Sequence, residues 1–341
     1  MSKIGVIGAG SWGIALATVL AKNGHEIMVW SIVEDEIKML KEKHEHVEKL
    51  PGVKLGEEIA FTTDMKEAVC GKDMLVLAVP SVFTRSTAKS MAEYVSKDQV
   101  IVCVAKGIEE SSLMTISQVV ESEIPEADTA VMCGPSHAEE VGCGIPTTVV
   151  AGAKTRKTAE FIQDTFMNDV FRVYTNSDVL GMELGGSLKN VIALAAGMTD
   201  GLGYGDNTKA ALITRGISEI SRLAIKMGAK PETLSGLTGI GDLIVTCESK
   251  HSRNRKAGML MGQGLTMEEA TKEVKMVVEG IYSAKAALAL GKKYEVELPI
   301  IEAVNDVLFN DKPVKEGVFV LMQREKREEH TSMDWEDEDK N

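Results

Sequence analysis

A chain of 341 residues exceeds the length at which one hydrophobic core usually stops growing, so two domains are expected, and a composition 44% hydrophobic and 26% charged excludes a disordered or fibrous chain. A formal net charge of -13 excludes general affinity for nucleic acid or anionic membrane surfaces, both of which need clustered basic charge, so any phosphate must be met by a local site. The five cysteines, Cys70, Cys103, Cys133, Cys143 and Cys247, show no CxxC pair and no zinc or disulfide spacing, which fits a reducing cytoplasm and no metal site.

The opening Met1-Ser2-Lys3-Ile4-Gly5 runs straight into a strand pattern without a charged leader and cleavage site, so no signal peptide is expected. Residues 3–7 read as a short strand, a glycine-rich turn follows, and 14–22 read as a helix packed on a sheet, ending at Asn23-Gly24. Residues 26–30 resume as a strand. Further buried strands are expected at 74–79, 100–104, 129–132 and 147–151, an alternation with helical or polar segments that reads as a parallel α/β sheet. After about Tyr174 the strand signals fade and helices are expected at 184–196, 208–227, 266–275, 279–290 and 300–308. No apolar run reaches the roughly 18 residues of a membrane span.

The turn Gly8-Ala9-Gly10-Ser11-Trp12-Gly13 lies between a strand and a helix in the first βαβ unit, the context in which GxGxxG signifies dinucleotide binding. Gly8 allows the tight turn, Gly10 lets the backbone approach a pyrophosphate, and Gly13 lets the helix pack closely. The helix start at Ser11 and Trp12 supplies donors and a favourable dipole. A purely structural strand-to-helix turn is the alternative. The acidic residue that binds the adenosine ribose is expected about 20 residues onward. That stretch, Trp30-Ser31-Ile32-Val33, holds neither an aspartate for NAD nor an arginine for NADP, and Glu34 and Asp35 come slightly late. Cofactor preference is open between NAD and NADP, with a lean to NAD because a 2′-phosphate would meet acidic neighbours.

Further segments have no explanation as scaffold alone: Val104-Ala105-Lys106-Gly107, the run from Cys133-Gly134-Pro135-Ser136-His137-Ala138 to Val141, and Ser187-Leu188-Lys189-Asn190-Val191. Gly239-Ile240-Gly241-Asp242 to Cys247 and Ser252-Arg253-Asn254 follow. With the glycine turn, this ordered set resembles the bacterial NAD(P)-dependent sn-glycerol-3-phosphate dehydrogenases, from about Lys3 to about Leu321. The resemblance implies interconversion of dihydroxyacetone phosphate and glycerol 3-phosphate for phospholipid synthesis. It also implies a Rossmann-type N-terminal domain paired with a mainly α-helical C-terminal domain, with the site between them. The expected division is a dinucleotide-binding domain over 1–185, a substrate domain over 186–325 and an acidic tail over 326–341, where like charges repel and little can be buried. A homodimer is compatible with this organisation.

Lys189 interrupts an apolar helix beside Leu188, Val191, Ile192 and Leu194, where burying an ammonium is costly unless it is paired or deprotonated. By resemblance it is the catalytic acid/base; a lysine snorkelling from a helix edge is the alternative. Lys106 follows the strand at 100–104, at the sheet edge where α/β proteins bind ligands. The resemblance gives it contact with substrate and cofactor and a role polarising the carbonyl, against an ordinary exposed loop lysine. Ser252, Arg253 and Asn254 lie in a basic stretch that suits a phosphate dianion or a solvated charge run. By resemblance they bind glycerol 3-phosphate, with Arg253 also near the cofactor. Asp242 can accept hydrogen bonds from substrate hydroxyls, hold a catalytic lysine, or cap a helix. The resemblance places Gly134 and Ser136 in the substrate and cofactor loop, Ala138 on the nicotinamide side, and Val277 and Glu279 against the cofactor from the helical domain. Where the family usually has Phe, this chain has His137, which alters packing or adds a titrating group near the site. His25, His44 and His46 read as surface or packing residues, and the 18 methionines as flexible core filling. Two rival readings are a dehydrogenase of hydroxy acids with the same two-domain build and a nucleotide sensor without turnover.

Overall fold

The computed structural model describes residues 1–329. The acidic run at 334–339, expected to be a solvated end, lies outside them. Eight strands form one sheet: β1 (Lys3–Ile7), β2 (Glu26–Trp30), β3 (Ile59–Thr62), β4 (Met74–Leu77), β5 (Val100–Cys103), β6 (Asp128–Cys133), β7 (Thr147–Ala153) and β8 (Phe171–Asn176). Their spatial order is β3-β2-β1-β4-β5-β6-β7-β8, so the winding reverses between β1 and β4, where open α/β sheets bind ligands. Ile7, Leu77, Cys103 and Val131 stand level across β1, β4, β5 and β6, and the loops after these strands therefore share one edge.

Alternation along the strands buries both faces. Val6, Val76, Val102 and Met132 pack with Ile14, Ala17 and Leu20 of the helix Ser11–Lys22. Ile7, Leu75, Leu77 and Ile101 pack on the opposite face with Ala88, Met91, Ile116 and Val120. The fully parallel sheet expected from the sequence is corrected at one point: β7 runs antiparallel to β6, with β8 parallel to β7. The intervening helix, Ala138–Gly142, has only 5 residues and so rises about 7.5 Å, too little to return the chain along the roughly 20 Å of a six-residue strand. The chain therefore re-enters the sheet from the edge at which it left.

The second core belongs to helices packed around Val179–Gly201, almost all of whose residues are buried. Asp178 caps this helix by accepting from the Gly181 N–H at 3.0 Å. By length and apolar content it could cross a membrane, although the sequence reading found no such run; 83% of its apolar window is buried inside the protein, and it carries Glu183 and Lys189. The expected domain division at 185 falls inside this helix, which starts three residues after β8 ends.

Helix Arg253–Gly262 crosses it backbone to backbone. A Cβ on Gly258 would stand 2.0 Å from the Leu194 carbonyl oxygen, and one on Gly197 2.0 Å from that of Arg255, so neither position accepts a side chain. This close approach brings Asn254 beside Asn190, the residue that follows Lys189.

Candidate active site

The glycine turn divides by what each Cβ would meet. At Gly8, where φ is +122, it would lie 2.8 Å from the Ala78 carbonyl, and at Gly13 2.0 Å from the Gly8 oxygen, so the fold itself demands these two glycines. At Gly10 nothing lies within 4 Å. The protein does not need that glycine for its own packing, and the space it keeps free lies at the start of helix Ser11–Lys22, whose N-terminal N–H groups suit a pyrophosphate. Ser11 and Trp12 open the helix half-buried. These residues fit a dinucleotide.

Facing this edge, Asp242 joins two lysines that come from different domains. It is the first residue of helix Asp242–Glu248, presented by the π-helical turn Leu237–Gly241. Lys189 donates to its Oδ1 at 2.7 Å and to Thr246 Oγ1 at 2.5 Å. Lys106, reaching over from the loop after β5, donates to its Oδ2 at 2.7 Å and to the Gly134 carbonyl at 3.0 Å. The approach is tight: a Cβ on Gly186 would meet Cys133 Sγ at 2.6 Å and the Lys106 side chain at 3.7 Å. Asp242 caps no helix end with its side chain, so the holding role is the one its geometry bears.

The electrostatics separate the two lysines. Burial, with repulsion from Lys106 added, outweighs Asp242 and lowers the Lys189 pKa below the ordinary lysine value. For Lys106 burial also opposes the charge, but Asp242 outweighs it and holds the group above its ordinary value. Asp242 is itself kept ionised, since the two ammonium groups overcome the effect of its burial. One lysine is thus prepared to exchange a proton and the other to remain a cation. Burial pushes the neighbouring Cys133 thiol up to about 11, which keeps it protonated.

Of the remaining expected residues, Gly134 touches the triad directly, through Lys106. Gly134, at φ +155, could not carry a Cβ without meeting Val149 Cα at 2.9 Å, and its carbonyl also accepts from Ser136 Oγ at 3.1 Å. Ala138 begins the short helix after β6 and is buried. Ser252 is a helix N-cap, accepting from the Arg255 N–H at 3.2 Å, and not part of a solvated run. Asn254 is buried, donating to Asn190 Oδ1 at 3.0 Å and accepting from the Gly280 N–H at 2.8 Å. Arg253 is exposed and donates to the Val277 carbonyl at 3.2 Å. Glu279 spans the two domains, accepting from the Ser81 N–H at 3.0 Å and from the Ser81 hydroxyl. Burial outweighs these bonds and raises its pKa.

His137 has a buried Nε2 without a hydrogen-bond partner and lies 6.0 Å, ring to ring, from His251. Burial first, then Lys189 and Lys106, lower its pKa to about 4, so it is neutral around pH 7 and adds no titration there. Sequence reasoning assigned no role to Thr246 or Ser81. Thr246 carried a usable signal, since it lies four residues after Asp242 on the same helix face. A groove of about 1360 Å³ along helix Asp206–Lys226 is lined by none of these residues; the chemistry, not the cavity size, locates the site.

A nucleotide-fitting turn at the switch point of the sheet, opposed by a lysine of lowered pKa, defines a nicotinamide-dependent oxidoreductase of the two-domain type. Two family models cover nearly the whole chain, the NAD-dependent glycerol-3-phosphate dehydrogenase N-terminus over residues 3–159 and its C-terminus over 178–319. The glycerol-3-phosphate dehydrogenase [NAD(P)+] of Agathobacter rectalis is 76% identical, covering 98% of this chain and 100% of that protein. That of Bacillus subtilis is 54% identical, covering 96% of each. The crystal structure of glycerol-3-phosphate dehydrogenase from Coxiella burnetii superposes with a TM-score of 0.92 at 35% identity, covering 95% of this chain and 99% of that one. The chain belongs to the NAD(P)-dependent glycerol-3-phosphate dehydrogenases.

Proposed function

We propose that this chain reduces dihydroxyacetone phosphate to sn-glycerol 3-phosphate reversibly, with Lys189 as the acid/base, and that the product supplies phospholipid synthesis in the cytoplasm. The observation that carries the assignment of roles is Asp242 bridging Lys189 and Lys106 at 2.7 Å each. Bound NAD(P)H supplies the hydride. Lys189, as ammonium, donates its proton to the substrate C2 oxygen as C2 becomes tetrahedral, and as amine it takes the proton back in oxidation. Asp242 and Thr246 keep the Nζ aimed and limit its rotation. Lys106 stays charged and stabilises the negative charge developing on the same oxygen.

Two cations against one carboxylate leave the triad with one positive charge in excess, which favours an anionic substrate over a neutral one. Ser252, Arg253 and Asn254 anchor the phosphate at the start of helix Arg253–Gly262, where the dipole adds to the guanidinium. Gly134 and Ser136 shape the substrate loop, while Gly8, Gly10, Ser11, Trp12, Gly13, Ala138, Val277 and Glu279 hold the dinucleotide. The free cysteines Cys103, Cys133 and Cys247 support a reducing location.

The test is Lys189→Ala with dihydroxyacetone phosphate and both reduced cofactors. Turnover is expected to vanish while fluorescence titration still reports dinucleotide binding. Unchanged turnover removes Lys189 from the chemistry, and a parent enzyme that consumes neither cofactor removes the substrate assignment.

A further inference from the structure

The carboxyl end of β2 lies against the glycine turn, since the Gly8 N–H donates to the Trp30 carbonyl at 2.9 Å. The strand end itself offers no carboxylate. One is nevertheless delivered there from the first turn of the next helix, Glu34–Lys43. Ser31 Oγ donates to Glu36 Oε2 at 2.7 Å and accepts from the Val33 N–H at 3.2 Å, which closes the turn and fixes that oxygen at the strand end. The other oxygen, Oε1, pairs with Lys49 Nζ and lies 3.5 Å from His46 Nε2. His46 Nδ1 accepts from the Lys49 N–H at 3.2 Å, so its Nε2 carries the hydrogen that faces Glu36. His46 is fully buried and the Glu36 side chain is 13% exposed. Burial opposes the Glu36 charge, but His46, Lys49 and Ser31 together lower its pKa to about 2, so the carboxylate is permanent at any working pH.

Beside it, Ile32 is 78% and Val33 46% exposed, an apolar step at the edge where the flat base of a nucleotide would lie. Glu34 and Asp35 share the first turn with Glu36. A hydroxyl meeting this corner finds an oriented acceptor. A phosphate dianion finds three carboxylates, with Lys49 already engaged.

We propose that Glu36, oriented by Ser31 and Lys49, is the residue that recognises the adenosine ribose and makes this enzyme selective for NAD over NADP. The proposal rests on the dehydrogenase reading and deepens it. Glu36 accepts a hydrogen bond from the ribose 2′-hydroxyl and repels a 2′-phosphate, the role that a carboxylate at a strand end has in dinucleotide-binding folds.

The test is equilibrium titration without substrate, following the fluorescence of NADH and NADPH and competition by 5′-AMP against adenosine 2′,5′-bisphosphate. The parent is expected to bind NADH at least about tenfold more tightly than NADPH, since a hydrogen bond to a carboxylate and a like-charge contact at the same place differ by that much or more. Glu36→Gln is expected to bring the two within a few-fold. Ile32→Arg, at a position too exposed to affect folding, is expected to tighten NADPH alone, and it decides the matter if the Glu36 variant does not fold. Equal affinities in the parent, a ratio unchanged in Glu36→Gln, or NADPH binding unmoved in Ile32→Arg each overturn the proposal. NADH-selective binding without turnover of dihydroxyacetone phosphate would instead overturn the substrate assignment and leave this one standing.

Discussion

Asp242→Asn removes one charge and almost no volume, and its consequence can be worked from the two 2.7 Å bonds that its carboxylate accepts. In surroundings of effective dielectric about 20, unit charges about 4 Å apart interact by about 4 kcal/mol. Asp242 therefore contributes roughly that much toward keeping each lysine protonated, and without it two ammonium groups repel one another on the same scale. The easier release is a proton lost from Lys189, whose side chain is 5% exposed against 19% for Lys106 and so gains less from water. The proton donor for reduction is then absent at neutral pH. At 1.36 kcal/mol per decade, about 4 kcal/mol corresponds to roughly a thousandfold in rate, within the range of a lost general acid. The assay is steady-state reduction of dihydroxyacetone phosphate across pH, with dinucleotide binding as control. Removing an anion disfavours the charged lysine, so the alkaline limb of the rate profile is expected to move to lower pH and activity to recover on acidification. A variant within about threefold of the parent, its limb unmoved, refutes the bridging role of Asp242.

Lys106→Met should move the same limb the opposite way, to higher pH, because repulsion from Lys106 is one of the causes lowering the Lys189 pKa; the rate at the plateau should fall as well, and a pH-rate profile measures both. Gly10→Ala should leave the melting temperature nearly unchanged and weaken NADH binding, whereas Gly13→Ala, whose Cβ would lie 2.0 Å from the Gly8 oxygen, should destabilise the fold; thermal melts beside titrations separate them. Glu219, buried where it accepts from the Ile300 and Ile301 N–H groups, has a pKa raised by burial from 4.5 to about 7. The folded state binds this proton more tightly than the unfolded chain, so its stabilisation is full below about 4.5 and is lost as pH rises through about 7. The loss is roughly 3 kcal/mol in all, of which about 1.3 falls between pH 6 and pH 8, and Glu219→Gln should lack that part in urea melts at those two pH values.

Elements whose apolar residues are continuous were legible in the sequence. The strands β1, β2, β4, β5, β6 and β7 appeared within two residues of their observed ends because both their faces are buried. The edge strands β3 and β8 were missed. β8 alternates Phe171 and Val173 inward with Arg172 and Tyr174 outward, a half-buried pattern hard to distinguish over so few residues from a polar loop. The direction of β7 was illegible for another reason, since it depends on the length of the connection and not on any residue of the strand. At the site, the motifs held Lys106, Lys189 and Asp242, but Asp242 binding both lysines at once is a fact of tertiary structure. The same holds for Glu36, which reaches the ribose corner only because Ser31 holds it there.

A buried charge does not by itself identify an active site, and this fold contains its own controls. Glu183 lies six residues before Lys189 on the same helix and is as thoroughly buried. Its carboxylate is closed off by the Ser117 N–H at 2.8 Å and the Ser117 hydroxyl at 2.5 Å, which leaves it a structural strut. Asp200 even repeats the arrangement of one carboxylate with two cations, taking Arg255 at 2.7 Å and Lys209 at 3.0 Å, yet Glu248 lies 3.7 Å from Lys209 and restores the balance. At Asp242 no second carboxylate is paired with either lysine among the described residues. The excess positive charge, lying at the edge of the sheet where the winding reverses, is what an oxyanion and a phosphate can use. Adding a carboxylate beside the triad, by Thr246→Asp at the position whose hydroxyl lies 2.5 Å from Lys189 Nζ, should therefore depress turnover even with all three residues intact. Turnover unaffected in a variant shown to be folded would mean that the charge excess is incidental.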